Sequence, residues 1–443
     1  MKNAINKVGL VMLGRPQFEI SLATKYFQSV SEIIQQAGIE VEIINQPIMV
    51  EADASEVATI LYKSPLDAVV IVQGTFTDAS LILTLTNTLQ LPILIWAFKE
   101  EPTGERLSLN SFCGLNLAAH ALTAAGRKFK GVYGNPDSTK VCADVIAFLK
   151  AAAVLNMLKG KRIGLVGHRP GGYYPSNFNE ISLSSILGVK VDYISLQEVF
   201  NFAEKITCDA KPLIGDLKGI ELMDSEASQK SVNAYLALKE VIANKALDAV
   251  AVECWPEFMV NYGGAVCFAL SQLNDDGIVA ACEADINGAV SMQIGQYLSG
   301  QATFIADLVT GDQEKNELIF WHCGNGPRTL LSTQYQPVAG VHPNRKVPLT
   351  VYGPLKGGQV TICRLSPNND GSFRLLIGKG TGIEAPMLYS GNTIPVRLET
   401  PVDSVIQLLL NKGVEHHYII IYGDYVKELQ ELARLLEIET IEF

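Results

Sequence analysis

Short apolar runs that break off at a glycine or a polar residue recur along the first two-thirds of this chain, with helical stretches between them. Val8–Leu13, Val41–Ile44, Ala68–Val72 and Ile93–Ala97 are such runs, and Thr24–Ala37 and Ala54–Tyr62 have helical spacing. The runs are too short for helices and too continuously apolar for strands with one wet face. They read as buried strands of a parallel sheet covered by helices. After a long helical stretch, Val141–Leu158, the alternation restarts at RIGLVG, Arg162–Gly167. Strands follow at Val189–Ile194, Ala249–Val252 and Ile278–Ala281, with helices at Ser228–Ala243 and Gly288–Leu298. Beyond about residue 335 the pattern changes to short β-like runs broken by Gly and Pro: Val347–Leu349, Gln359–Leu365, Ser372–Lys379, Leu388–Tyr389 and Thr393–Leu398. That spacing suits a small antiparallel barrel or sandwich. A helix near Val402–Leu410, a strand Tyr418–Tyr422 and a helix Val426–Leu436 close the chain. The expected fold class is α/β, with two doubly wound parallel-sheet domains (1–160 and 161–335) and a small antiparallel β C-terminal domain (336–443).

At 443 residues the chain is too long for one ordinary core, and 48% apolar against 18% charged residues excludes disorder. A net charge of −11 does not favour nucleic acid or an anionic membrane as partner. It leaves room for an anionic small substrate in a locally basic pocket. None of the eight cysteines forms a CxxC pair or a zinc-ligand spacing, so they read as buried reduced thiols. Val8–Leu13 is too short for a secretory core, and the other apolar stretches read as short of a membrane span. A cytoplasmic protein without a membrane partner is expected.

The chemistry concentrates at strand ends. In ACEADING, Ala281–Gly288, an apolar strand stops at Glu283 and a helix begins at Gly288, with Asp285 between them. Ligands of α/β domains bind at the carboxyl ends of strands, although an acid there also serves as a plain helix cap. Asp307 follows in TFIADL, His322 in FWHCGN, and His416 and His417 precede the last apolar strand. Carboxylates with an imidazole suit a divalent ion such as Mn2+, which polarises the oxygens of a sugar. Two carboxylates beside C1 and C2 can then move a proton between those carbons. A lone His322 reads first as a satisfied interior histidine. Strict strand alternation would point only one of His416 and His417 into a given site.

The phrases CEADINGA, FIADLV, FWHCGNGP and GVEHHYII, in that order, resemble the L-fucose/L-arabinose isomerase superfamily. The likeness spans essentially the whole chain and is strongest from Glu253 to Pro327. It implies two N-terminal α/β domains and a C-terminal β domain. It also implies an aldose–ketose isomerase acting on a free sugar through an enediol. Glu283 and Asp307 would bind Mn2+ and form the proton-transfer pair, and His416 would complete the metal shell. The L-arabinose branch adds a histidine where His322 stands. Homo-oligomers, trimers or hexamers, are implied as well.

Other residues suggest substrate contacts. Arg15 and Gln17 follow the first strand, and Arg15 can grip a hydroxyl or an anionic substituent. Gln73 ends another strand, Trp255 can stack on a sugar face, and Asn325 can orient substrate. His168 and Arg169 sit in GHRPGGYYP, a glycine-bearing loop without the pattern of a nucleotide-binding motif. GKGTG, Gly378–Gly382, reads as a turn cluster. Arg15, His168, Arg169 and Lys379 offer charge for a modified sugar such as sulfoquinovose, the alternative substrate. A non-catalytic sugar-binding or sensor protein is the other rival.

Overall fold

The computed structural model describes residues 7–443, and the chain divides into two compact units, Met1–Met157 and Leu158–Phe443. The first unit is a five-stranded sheet built from β1 (Lys7–Leu13), β2 (Glu40–Ile43), β3 (Ala68–Gln73), β4 (Ile93–Ala97) and β5 (Lys130–Tyr133). Its order is β2-β1-β3-β4-β5, and every pair is parallel. Every residue of β3 and β4 is buried. Helices cover both faces of such strands, which is why the sequence shows continuous apolar runs there.

The helix Thr139–Leu158 corrects one expectation. At 20 residues and a mean hydropathy of 1.9, it is long and apolar enough to cross a membrane by length and composition alone. Half of it is buried within the protein, including Phe148, Leu149, Ala151 and Ala152, as in a core helix.

The second unit holds two sheets. One comprises β6 (Arg162–Val166), β7 (Lys190–Ile194), β8 (Ala249–Val252) and β9 (Val279–Ala281), all parallel in the order β7-β6-β8-β9. The strand order reverses between β6 and β8, so their connections leave in opposite directions and open a crevice at the carboxyl ends. The other comprises β10 (Phe304–Asp312), β11 (Glu317–His322), β12 (Val338–Gly340), β13 (Thr350–Pro354), β14 (Gly358–Pro367), β15 (Phe373–Gly382), β16 (Asn392–Leu398), β17 (His417–Tyr422) and β18 (Glu439–Glu442). Six of these close on themselves in the cycle β16-β11-β10-β17-β14-β15-β16, every pair antiparallel. Closure leaves this ring without a free edge.

The two parallel sheets and the antiparallel barrel are the fold class read from the sequence. Three details differ. Residues 304–322 pair into the barrel rather than into the second parallel sheet. Leu388–Tyr389 is not a strand, and neither is Val347–Leu349, after which β13 begins at Thr350. GKGTG is not a turn but the end of β15, where Gly380 lies opposite Leu398 as the barrel closes. A Cβ on Gly380 would stand 2.8 Å from the Arg397 carbonyl oxygen, so a glycine is needed for two backbones to approach this closely.

Candidate active site

Four strand ends and one helix start meet in the second unit. At the end of β9 the chain turns sharply, and Glu283 and Ala284 both adopt left-handed backbone conformations, φ 54° and 55°. Such conformations cost non-glycine residues about 1 kcal/mol or more each, and they cluster where side-chain placement matters. The Ala284 N–H donates to the Val252 carbonyl, which ties the turn to the end of β8. Asp285 then caps the helix Ile286–Ser299, its Oδ1 accepting from the Gly288 N–H at 2.8 Å.

The barrel supplies the facing groups. β10 and β17 pair so that Asp307 lies directly opposite His417. Ala306, Tyr418 and Ile420 turn to the barrel core, leaving Asp307 and His417 on the other face. Glu283 Oε2 lies 3.1 Å from His416 Nε2 and 3.6 Å from His417 Nε2. Asp307 Oδ1 lies 3.6 Å from His417 Nε2 and 4.0 Å from His416 Nε2. Two oxygens at those distances from one nitrogen are at most about 7 Å apart, so both carboxylates border one small volume. Strand alternation does not separate the two histidines, because His416 precedes the first paired residue of β17. Their ring centroids are 4.0 Å apart.

Among the described residues four sets of side chains offer metal-ligand atoms within 4.8 Å of one another: Glu283 with His416 and His417, Asp307 with His322 and His417, and two thiol-bearing sets, Cys282 with His322 and Cys323 and Cys267 with Cys323 and His342. Three atoms at this point are buried without a hydrogen-bond partner: Asp307 Oδ1, His322 Nε2 and His417 Nε2. Unpartnered buried polar atoms are costly, and the two that are acceptors, Asp307 Oδ1 and His417 Nε2, lie 3.6 Å apart, as ligands sharing one partner would. The donor set of carboxylate oxygen and imidazole nitrogen fits a divalent cation.

The tautomers sort the histidines. His417 Nδ1 faces Asp285 Oδ2 at 2.9 Å, so that nitrogen carries the proton and Nε2 presents its lone pair. His322 is the reverse: its Nδ1 accepts from the Cys323 N–H at 2.9 Å, which leaves the proton on Nε2. His416 faces Glu283 through Nε2 and donates there. Asp285 also pairs with the fully buried Arg364, at 2.5 and 3.2 Å. Sequence reasoning passed over Arg364, yet an arginine inside the apolar run VTICRL was a signal, because a buried charge needs a partner.

Electrostatics favour ionised carboxylates. Burial alone would raise the Glu283 carboxyl, but the hydrogen bond from His416 leads the opposing interactions, and the group is held below its ordinary value. Asp285 is lower still: burial opposes, but Arg364 and His417 outweigh it. His416 is raised, since the Glu283 hydrogen bond and the Asp307 charge overcome burial.

The remaining sequence candidates divide by unit. Trp255 Nε1 donates to Glu283 Oε1 at 3.3 Å, and Tyr173, which sequence reasoning missed, packs edge-on against both Trp255 and His416. Asn325 is buried with both amide atoms unpartnered. His168 and Arg169 line a cavity of about 340 Å³ with Asn177 and Ala284. Lys379 is taken up by Asp424 at 2.7 Å. In the first unit, Arg15 pairs with Asp78, Gln17 is exposed, and the Gln73 amide donates to Thr75 and Thr77 within its own loop. All eight cysteines are free, five of them buried and Cys113 exposed.

Glu253, also missed, ends β8 and accepts the His168 N–H at 2.7 Å. A Cβ at Gly167 would collide with it, so the glycine makes room for this acid. Burial, then Glu257, raise its pKa from 4.5 to about 7 against the opposing His168 hydrogen bond. The folded pKa therefore lies above the unfolded one. The associated stability is fully present below about pH 4.5 and is lost as pH rises through about 7. Glu253→Gln cannot ionise, so its stability relative to wild type should rise by on the order of 2 kcal/mol between about pH 5 and pH 8. Chemical denaturation at the two pH values checks this, and a difference that stays flat would reject the raised pKa.

Residues 9–159 match the family described as fucose/sulfoquinovose isomerase, N-terminal domain, and residues 320–443 match the L-fucose isomerase C-terminal domain. The chain is 33% identical over 437 residues to the sulfoquinovose isomerase of Priestia aryabhattai, with 97% of each chain covered. Against that of Alkalicoccus urumqiensis it is 32% identical over 440 residues, covering 97% of this chain and 98% of the relative. Against that of Clostridium sp. (strain MSTE9) the figures are 30% over 442 residues, with 98% of each covered.

Proposed function

The chain belongs to the L-fucose isomerase superfamily and is an aldose–ketose isomerase, and from that premise we propose that it converts a sulfonated aldose, sulfoquinovose, to its ketose with a divalent metal, Mn2+. Family membership removes the sensor protein as a rival. The substrate is carried by relatives of 30–33% identity that match nearly end to end and are all sulfoquinovose isomerases. This promotes the modified sugar from alternative to first choice over an uncharged aldose.

The observation that carries the mechanism is the convergence of Glu283, Asp307 and the free lone pair of His417 on one buried volume. We assign these three as the metal ligands, His417 replacing His416 because its Nε2 is unprotonated. Asp285 holds His417 in that tautomer, as carboxylates commonly do behind metal-binding histidines. When bound, the ion would polarise the sugar's C1 and C2 oxygens and favour their negative charge.

Proton movement falls to the chain's own groups. One of the two carboxylates accepts the C2 proton as the C2 electron pair forms the C1–C2 double bond and O1 gains a proton. The same proton is then returned at C1 as the O2 proton leaves and the C2 carbonyl forms. The other carboxylate handles the hydroxyl proton. His322 Nε2–H and protonated His416 stand beside these oxygens as donors, and Trp255 orients Glu283. Asn325, with both amide atoms free, suits a substrate hydroxyl.

The test is turnover of sulfoquinovose, glucose and fucose by the full chain after chelation, with metal added back. Chelation should abolish ketose formation, Mn2+ should restore it, and kcat/KM should be highest for sulfoquinovose. Full activity after complete metal removal would reject the metal assignment, and equal rates on all three sugars would reject the substrate.

A further inference from the structure

Four arginines of the second unit have an acidic partner, Arg162 with Asp192, Arg364 with Asp285, Arg397 with Glu317 and Arg434 with Glu431, whereas Arg169, Arg328 and Arg374 make no ion pair among the described residues. Arg345 makes no ion pair among the described residues, in a chain whose net charge is −11. It lies in the turn between β12 and β13, its backbone N–H donating to His342 Nδ1 at 3.3 Å. Its guanidinium sits 4.5 Å from the centre of the Trp255 ring. Stacked in this way, an arginine keeps its N–H edge free for an oxyanion.

The ring beneath it belongs to the site. Trp255 donates to Glu283, and Tyr173 packs against Trp255 at 5.2 Å and against His416 at 5.9 Å. Two aromatic rings thus form a wall from the carboxylates to an uncompensated cation about 10 Å or less from Glu283 Oε1. The Tyr173 phenol is raised by burial and by the Glu283, Asp307 and Cys254 charges, with Arg345 opposing. At about 1.5 Å per carbon–carbon bond, an open six-carbon sugar spans roughly 6 Å, and the oxygens of a terminal group add about 2–3 Å. That upper bound leaves room for such a substrate between the two ends. Other cations are differently engaged: Lys379 pairs with Asp424, Arg169 stacks on Tyr174 rather than on Trp255, Arg328 donates to the Ile214 carbonyl, and Arg374 donates to Ser366 and the Gly413 carbonyl.

We propose that Arg345 is the specificity-determining contact for the anionic end of the substrate: with C1 and C2 at Glu283 and Asp307, the sugar lies along Trp255 and Tyr173, and its terminal sulfonate meets the Arg345 guanidinium. The assignment rests on the reading of the site given under the proposed function. A guanidinium gripping an oxyanion by charged hydrogen bonds discriminates against the uncharged analogue.

The test uses the full-length, Mn2+-loaded protein, with sulfoquinovose and glucose as substrates of wild type, Arg345→Met and Arg345→Lys. Arg345→Met should raise the KM for sulfoquinovose about 10- to 100-fold with kcat changing far less. The preference for sulfoquinovose over glucose should collapse by a similar factor, and Arg345→Lys should recover part of it. Loss of both substrates by the same factor would mark a structural role and overturn the proposal. If wild type prefers sulfoquinovose and Arg345→Met keeps that preference, Arg345 is overturned while the proposed function stands. If wild type turns over glucose but not sulfoquinovose, both fail.

Discussion

Glu283→Gln should lower kcat by about 1,000-fold or more while leaving the fold intact. General acid–base groups typically contribute 10²- to 10⁴-fold, and this carboxylate is also assigned to hold the metal. Glutamine matches the shape of glutamate and can still accept the Trp255 N–H, so the left-handed turn at Glu283 and Ala284 should survive. What is lost is a negative charge held ionised by the His416 hydrogen bond against its own burial. Steady-state kinetics and thermal melting should therefore separate cleanly, with kcat collapsing and melting temperature nearly unchanged. Retention of a tenth or more of wild-type kcat would remove Glu283 from the chemistry.

The two adjacent histidines should behave very differently. His417→Gln should weaken Mn2+ binding at least about 100-fold, because losing even the group behind a metal-binding histidine commonly costs 10- to 100-fold. His416→Gln should change it by less than about tenfold. The contrast comes from proton placement: Asp285 fixes the proton of His417 on Nδ1, whereas His416 turns a protonated nitrogen toward Glu283. Asp285 stays paired with Arg364 when His417 is replaced, so the variant keeps a satisfied buried acid. Calorimetric titration of the metal-free proteins with Mn2+ reads the two affinities. The opposite ranking would return the ligand role to His416.

Much of the architecture was legible along the chain because it depends on local periodicity. Continuous apolar runs such as Ala68–Val72 and Ala249–Val252 can be buried on both faces only in covered parallel sheets, and they are. An acid directly after such a run, as at Glu283, marks a strand's carboxyl end whatever its neighbours are. The helix Thr139–Leu158 was underestimated because apolarity alone does not say whether a helix is covered by protein. GKGTG was misread because glycine signals a turn locally, whereas here it serves the approach of a distant strand.

The site itself needed contacts between residues far apart in sequence. That Asp307 and His417 face one volume follows from the register of β10 against β17, which no local pattern encodes. The choice between His416 and His417 came down to hydrogen bonds made by Asp285, itself gripped by Arg364. The stacking of Arg345 on Trp255 joins two loops with no shared motif. Local sequence therefore determined where most strands would run and that Glu283 would stand at a strand end, because periodicity and chain stops act over a few residues, whereas Asp307, read as another strand-end acid, lies inside β10. Only the tertiary structure decided which histidine carries a free lone pair and which cation stacks beside the site, because proton positions and ring contacts depend on partners that folding alone brings together.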